Sequence, residues 1–226
     1  MTDSAEGSED STDLEVILEI ACNVADTLEE AVGLGDEDLL RVALLTLERV
    51  QVEESVEVSL LVTDDEGLRE LNRDFRGRDE ATDVLSFPLL DTPLIEAPAD
   101  ELWQPAEQGV NGASFAHSIE PDAGLSGDDL GAAGFADADE QGDGEDVGDD
   151  DEDFEDAPLH LGDIAISRDA VVRQAAAAGH SVAWECAYLF AHGLLHLMGY
   201  DDSTDAGYRA MVAHQEAILT EAHIAR

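Results

Sequence analysis

Apolar residues along this chain recur with two periods, and the alternation between them sets out the elements. Residues 14–22, LEVILEIAC, alternate with period two and predict a strand. Asp36 then stands as a helix cap before DLLRVALLTLERV, whose leucines and valines return at helical spacing. Residues 56–62, VEVSLLV, alternate again and predict a second strand. Asp64 or Asp65 caps a short helix, EGLRELNRDF, and residues 82–90, TDVLSFPLL, predict a third strand ending near Pro88. After a long compositional break, LHLGDIAIS at 159–167 predicts a fourth strand, with Gly162 and Asp163 shaping the turn into it. Three helices follow: an alanine-rich one over 169–178, a longer one over 182–198 capped by Ser181 and ended by Gly199, and a last one over about 205–225. The order β, α, β, α, β, β, α, α, α defines an α+β fold, a small mixed four-stranded sheet packed with about five helices.

The break divides the chain. Residues 91–157 are rich in Gly, Asp, Glu, Ala and Pro, too long for an ordinary loop, and read as an acidic, disordered insert. Trp103, Phe115, Phe135 and Phe154 are the side chains through which it would dock. Residues 1–13 read as a disordered acidic N-terminus, and 14–90 with 158–226 as one folded domain. No stretch approaches the roughly 20 apolar residues that cross a bilayer, and the acidic start of the chain resembles no export or transit signal. A cytoplasmic location is the expectation.

Charge sharpens the picture. The formal net charge is −45, and all ten basic residues are arginine. One origin is adaptation to a salty cytoplasm; the other is a single acidic insert on an otherwise ordinary domain. Residues 91–158 hold 22 of the 55 acidic residues and no arginine, so the insert explains about half the charge and both origins contribute. Such a surface repels nucleic acid unless charge is sorted locally. Cys22 and Cys186 lie far apart without CxxC spacing and read as reduced, small hydrophobes.

The chemistry concentrates in residues 190–202, FAHGLLHLMGYDD. His192 and His196, four apart on a helix, point the same way one turn apart. Gly199 takes the left-handed conformation that ends the helix and turns the chain back, and Asp202 follows where a returning chain supplies a third ligand. A histidine pair on an apolar helix is more often ordinary packing, but the helix terminator and carboxylate favour a metal site. His-x3-His-x2-Gly-x2-Asp matches the extended zinc pattern of metzincins, except that Gly193 replaces the glutamate base and the third ligand is Asp. Two nitrogens and one oxygen leave a position open, as in catalytic zinc sites.

HGLLHLMGYD at 192–201 resembles the signature of the YbeY endoribonuclease family. LNRDFRGRDEATDVLSFP at 71–88, LGDIAIS at 161–167, and Gln174, Ala175 and Glu185 extend the likeness to about residues 14–90 and 158–224. The resemblance implies a one-zinc, single-strand-directed endoribonuclease acting in rRNA maturation and ribosome quality control. RNA, above all rRNA precursors, and the ribosomal small subunit or its proteins are the implied partners, with neither membrane nor DNA. The family has a third histidine where Asp202 stands, and its loop between the third and fourth strands is usually short. Two-His-one-carboxylate sites still suit catalytic metals, and Asp201 is a competing carboxylate.

The resemblance also implies an arginine near the metal, here Arg76, that contacts substrate phosphate, and a guanidinium is suited to that task. The plainer reading is a surface ion pair of Arg76 with Asp74 or Asp79. Arg73 and Arg78 add phosphate contacts in the same basic cluster, the densest in the chain, where RNA is expected. Asp83 and Glu185 are candidates for outer-shell groups that orient a metal histidine. Met211 reads as core or as packing beneath the metal, and His117, His160, His180, His214 and His223 as surface or packing residues. With Gly193 in place of a base, a metal-stabilised RNA-binding or ribosome-assembly factor is the alternative function, and a peptidase the weakest.

Overall fold

A computed structural model of the chain describes residues 15–104 and 157–226. The expected disorder of residues 1–13, most of the insert, and the side chains of Phe115, His117, Phe135 and Phe154 lie outside the described residues.

Four strands form one mixed sheet: β1 (Val16–Cys22), β2 (Val56–Thr63), β3 (Val84–Pro88) and β4 (Leu159–Ser167), in the order β1-β2-β4-β3. β1, β2 and β4 run parallel, and β3 lies antiparallel along β4 as an edge strand. Among the described residues six helices accompany them: α1 (Leu28–Val32), α2 (Asp36–Arg49), α3 (Asp65–Arg76), α4 (Arg168–Ala178), α5 (Val182–Met198) and α6 (Asp205–Glu221). α1 is the helix that periodicity did not show. Its five residues span too little for a 3.6-residue repeat to register, and it depends on caps, with Thr27 accepting from Glu30 N–H and left-handed Gly33 closing it.

Local chemistry corrects three boundaries. Gly35, not Asp36, caps α2, and the Asp38 carboxylate reaches back to Gly35 N–H. Asp64 is the cap of α3, accepting from Gly67 N–H at 2.8 Å, which resolves the choice between Asp64 and Asp65. Gly162 is not in a turn but within β4, where its φ of 130° and the approach of Phe87 O, 2.1 Å from where a Cβ would stand, require glycine.

Pairing register assigns side chains to faces. Leu61, Ala165 and Leu85 sit abreast on one face, where Leu68 and Leu71 of α3 pack on them with Phe87. Leu60, Ile164 and Ser86 sit abreast on the other. There α5 crosses so closely that a Cβ on Gly193 would meet Ile164 Cγ2 at 2.9 Å. α5 is the central helix, buried from Trp184 to Met198 with few breaks.

Residues 91–104, grouped with the insert on composition, are part of this fold. Ile95 and Trp103 are buried, and Leu102 pairs with Tyr200 in an antiparallel bridge. Their polar neighbours hide these two apolar anchors in the sequence. Cys22 is half-buried and Cys186 buried, both as free thiols, and burial pushes the Cys186 thiol up to about 12.

Candidate metal centre

α5 starts at Ser181, whose hydroxyl accepts from Trp184 N–H at 3.0 Å, and ends at Gly199, with φ of 129°. Between these limits the 3.6-residue repeat brings His192 and His196 onto one face. Their rings are nearly perpendicular, centroids 4.5 Å apart, and the two Nε2 atoms approach to 3.0 Å. The chain turns back after Gly199 and delivers Asp202. Its Oδ2 lies 3.8 Å from His192 Nε2, and its Oδ1 lies 3.9 Å from His196 Nε2. All three side chains are buried. Among the described residues this is the group whose donor atoms converge on one point.

The donor set fits a metal ion. Bonds of 2.0–2.1 Å in tetrahedral array place ligand atoms about 3.3 Å apart, and the three observed separations bracket that value. His196 supplies an independent sign. Its Nδ1–H donates to Tyr200 O at 2.8 Å, which fixes the tautomer and leaves the Nε2 lone pair directed at the convergence point. Two buried imidazole nitrogens facing a buried carboxylate need a cation or shared protons to be tolerated there. Asp201, the competing carboxylate, is engaged elsewhere: it accepts from the backbone N–H and the hydroxyl of Ser203.

Asp83 and Glu185 are engaged away from the triad histidines. Glu185 does contact a histidine, but it is His180, Nε2 to Oε2 at 3.0 Å. Asp83 accepts from Val84 N–H, the Thr82 hydroxyl and Gln174 Nε2–H. The group that orients a triad histidine is the Tyr200 carbonyl, which side-chain identity cannot reveal. Tyr200 is itself tied down, its hydroxyl 3.0 Å from His214 Nε2, while Arg49 Nε–H donates to His214 Nδ1. Burial, with Arg49 adding repulsion, holds His214 below the usual imidazole range, so it stays neutral in this chain of contacts. His180 and His214 are thus packing residues, as expected. Met211 is buried in the core.

The arginine cluster gathers at the C-terminal end of α3, with Arg73 and Arg76 in its last turn and Arg78 just beyond Gly77. Arg73 is exposed and pairs with Asp74 at 2.9 Å. Asp79 pairs with Arg69, a partner the sequence did not single out, at 2.8 Å. Arg76, the last residue of α3 before left-handed Gly77, is half-buried. Burial, with Arg78 adding repulsion, lowers its guanidinium to about 10. Arg78 is exposed. A half-buried cation beside a second cation is a site that favours an incoming anion.

An α+β sheet packed on a central helix, whose two buried histidines meet a returning aspartate, defines a class of protein with a donor set that could hold a metal ion. Comparison with known proteins narrows the class. The family profile described as Endoribonuclease YbeY matches residues 34–223. Among curated relatives, the Endoribonuclease YbeY of Moorella thermoacetica is 39% identical over 163 residues, covering 72% of this chain and 70% of that protein. That of Roseiflexus sp. is 35% identical over 182 residues, covering 80% and 79%, and that of Chloroflexus aurantiacus is 34% identical over 194 residues, covering 85% and 90%. The chain belongs to the endoribonuclease YbeY family.

Proposed function

We propose that this protein is a zinc-dependent endoribonuclease that cleaves single-stranded RNA during rRNA maturation and ribosome quality control in the cytoplasm. Family membership supports the RNA-cleaving activity. The observation that carries the metal reading is the convergence of His192, His196 and Asp202, with His196 locked in the ligand tautomer by Tyr200 O.

His192 and His196 present their Nε2 lone pairs, and Asp202 adds a negative charge that moderates the cationic character of the centre. Held by these three side chains, a zinc ion would supply Lewis-acid chemistry at a phosphodiester and lower the pKa of water. Burial of the three side chains limits competing solvent and strengthens every charge interaction within the site. Arg76 binds substrate phosphate, aided by Arg73 and Arg78, which gives a chain of net charge −45 a local foothold for RNA.

The alternative, a metal-stabilised RNA-binding or assembly factor with little catalysis, draws on Gly193. The position that carries the general base in related zinc motifs is here closed against Ile164. Purified wild type and His196→Ala, matched for folding by circular dichroism, separate the two readings on a single-stranded rRNA fragment. The proposal expects zinc-dependent cleavage by wild type and its loss in the variant. Equal cleavage by both overturns it, and tight binding without cleavage by wild type favours the assembly factor.

A further inference from the structure

The turn that joins the two halves of the triad, residues 198–202, is held from outside by the segment that composition assigned to the insert. Leu94 N–H donates to Met198 O at 2.9 Å, and Trp103 N–H to Gly199 O at 3.0 Å. The indole Nε1–H of Trp103 donates to the carbonyl of His196 itself at 3.2 Å. In the opposite direction, Asp201 N–H donates to Glu101 O at 2.9 Å, and the Thr204 hydroxyl donates to Asp100 O. Pro93 presses on Gly199, where a Cβ would stand 2.6 Å from Pro93 Cβ.

These contacts have a physical purpose. The last carbonyls of a helix have no partner within it, and those of α5 are the backbone of a ligand-bearing turn. The segment donates to two of them, Met198 O and His196 O, and to the carbonyl of the capping Gly199, and it also fixes the amide next to Asp202. An aspartate is shorter than a histidine reaching through Nε2, so its main chain must be held nearer the metal for the carboxylate to reach. A turn free to move by an ångström would lose that ligand first. Trp103 is 2% exposed and is the large side chain that pins the segment in place.

We infer that residues 93–104 form a clasp, with Trp103 as its positioning residue, that sets Asp202 at ligand distance from His192 and His196. The inference rests on the reading of this triad as a metal centre. Trp103 bonds to the main chain of the ligand-bearing turn. It acts through the His196 carbonyl and the Gly199 turn, and outer-shell groups of this kind change metal affinity by about 10- to 100-fold.

The test uses the full-length protein and its Trp103→Phe variant, which keeps a buried ring and removes the indole N–H. Zinc affinity is measured by competition with a chromophoric chelator, and ligand geometry by the visible absorption of the cobalt-loaded protein. Leu68→Ala is the control, because Leu68 packs on the far face of the sheet. The clasp predicts at least 10-fold weaker zinc binding and an altered cobalt spectrum in Trp103→Phe. It predicts wild-type affinity and spectrum in Leu68→Ala despite a lower Tm. Wild-type affinity and spectrum in Trp103→Phe overturn the clasp while leaving the metal centre intact. Failure of the wild type to bind either ion overturns the metal reading itself, and the clasp with it.

Discussion

Gly193 and Ile164 are in contact across the interface of α5 and β4, so tightly that a Cβ on the glycine would lie 2.9 Å from Ile164 Cγ2 and 3.0 Å from its Cδ1. This packing explains the missing glutamate: the position faces the sheet, not the metal. In an exposed helix alanine is favoured over glycine by about 1 kcal/mol, whereas overpacking a core costs about 1–3 kcal/mol. Packing dominates here because Cγ2 is fixed to the β-branched carbon and cannot swing away. Gly193→Ala is expected to lower Tm by several degrees, and Gly193→Glu to be worse and to confer no peptidase activity. A higher Tm for Gly193→Ala by calorimetry would show that α5 does not sit this close to the sheet.

Arg76 is expected to matter more than its neighbours. Replacing it by alanine removes a half-buried cation and should lower kcat/KM for RNA by about 10²–10³, the effect of losing a donor aimed at developing charge. Arg76→Lys restores the charge but not the planar fork, and should rescue poorly. Arg73→Ala and Arg78→Ala, both at exposed positions, should each reduce the salt slope of RNA binding by about 1 and leave the cleavage step unchanged. Equal effects from all three substitutions would reduce Arg76 to one more surface charge.

Glu185 gives the fold a pH dependence. Burial, with repulsion from Asp83, pushes its carboxyl up from 4.5 to about 7. The folded state therefore keeps a proton that the unfolded chain has already lost, and stability falls as pH rises from 4.5 through 7. Glu185→Gln removes this slope. Urea unfolding at pH 5 and pH 8 should show the variant gaining on wild type at the higher pH. A constant difference would mean that Glu185 stays ionised against His180.

The four strands were legible because each is a short alternating run bounded by turn residues, and α5 because Ser181 and Gly199 bracket it with apolar residues between. The histidine pair was legible for the same reason: a helical repeat of four needs no tertiary information. Three features were not. α1 is held by Thr27 and Gly33 rather than by periodicity. The Tyr200 carbonyl that orients His196 is backbone, and every residue has one. Residues 91–104 look like loop because their backbone bonds to another segment of the chain, with only Trp103 hinting that they dock. Arg69, the partner of Asp79, was hidden because ten residues in sequence become contact only when α3 ends at Gly77 and the chain folds back.

Because residues 93–104 bond to the turn after α5, the acidic segment should be tested with them kept. Residues 105–156 contain 18 acidic residues and no arginine. Their removal, with residues 93–104 left in place, should tighten RNA binding at low salt, and the gain should fade as salt screens the repulsion. Filter binding across an ionic-strength series measures this, and an unchanged affinity at low salt would show that the segment does not act on RNA through its charge.

The claim that His192, His196 and Asp202 hold one ion is tested most directly by elemental analysis of wild type and Asp202→Ala purified side by side. The account predicts about one zinc per chain in the wild type and its loss in the variant, with the fold retained. A wild type that stays empty after zinc is supplied, or a variant that keeps its metal, would contradict it.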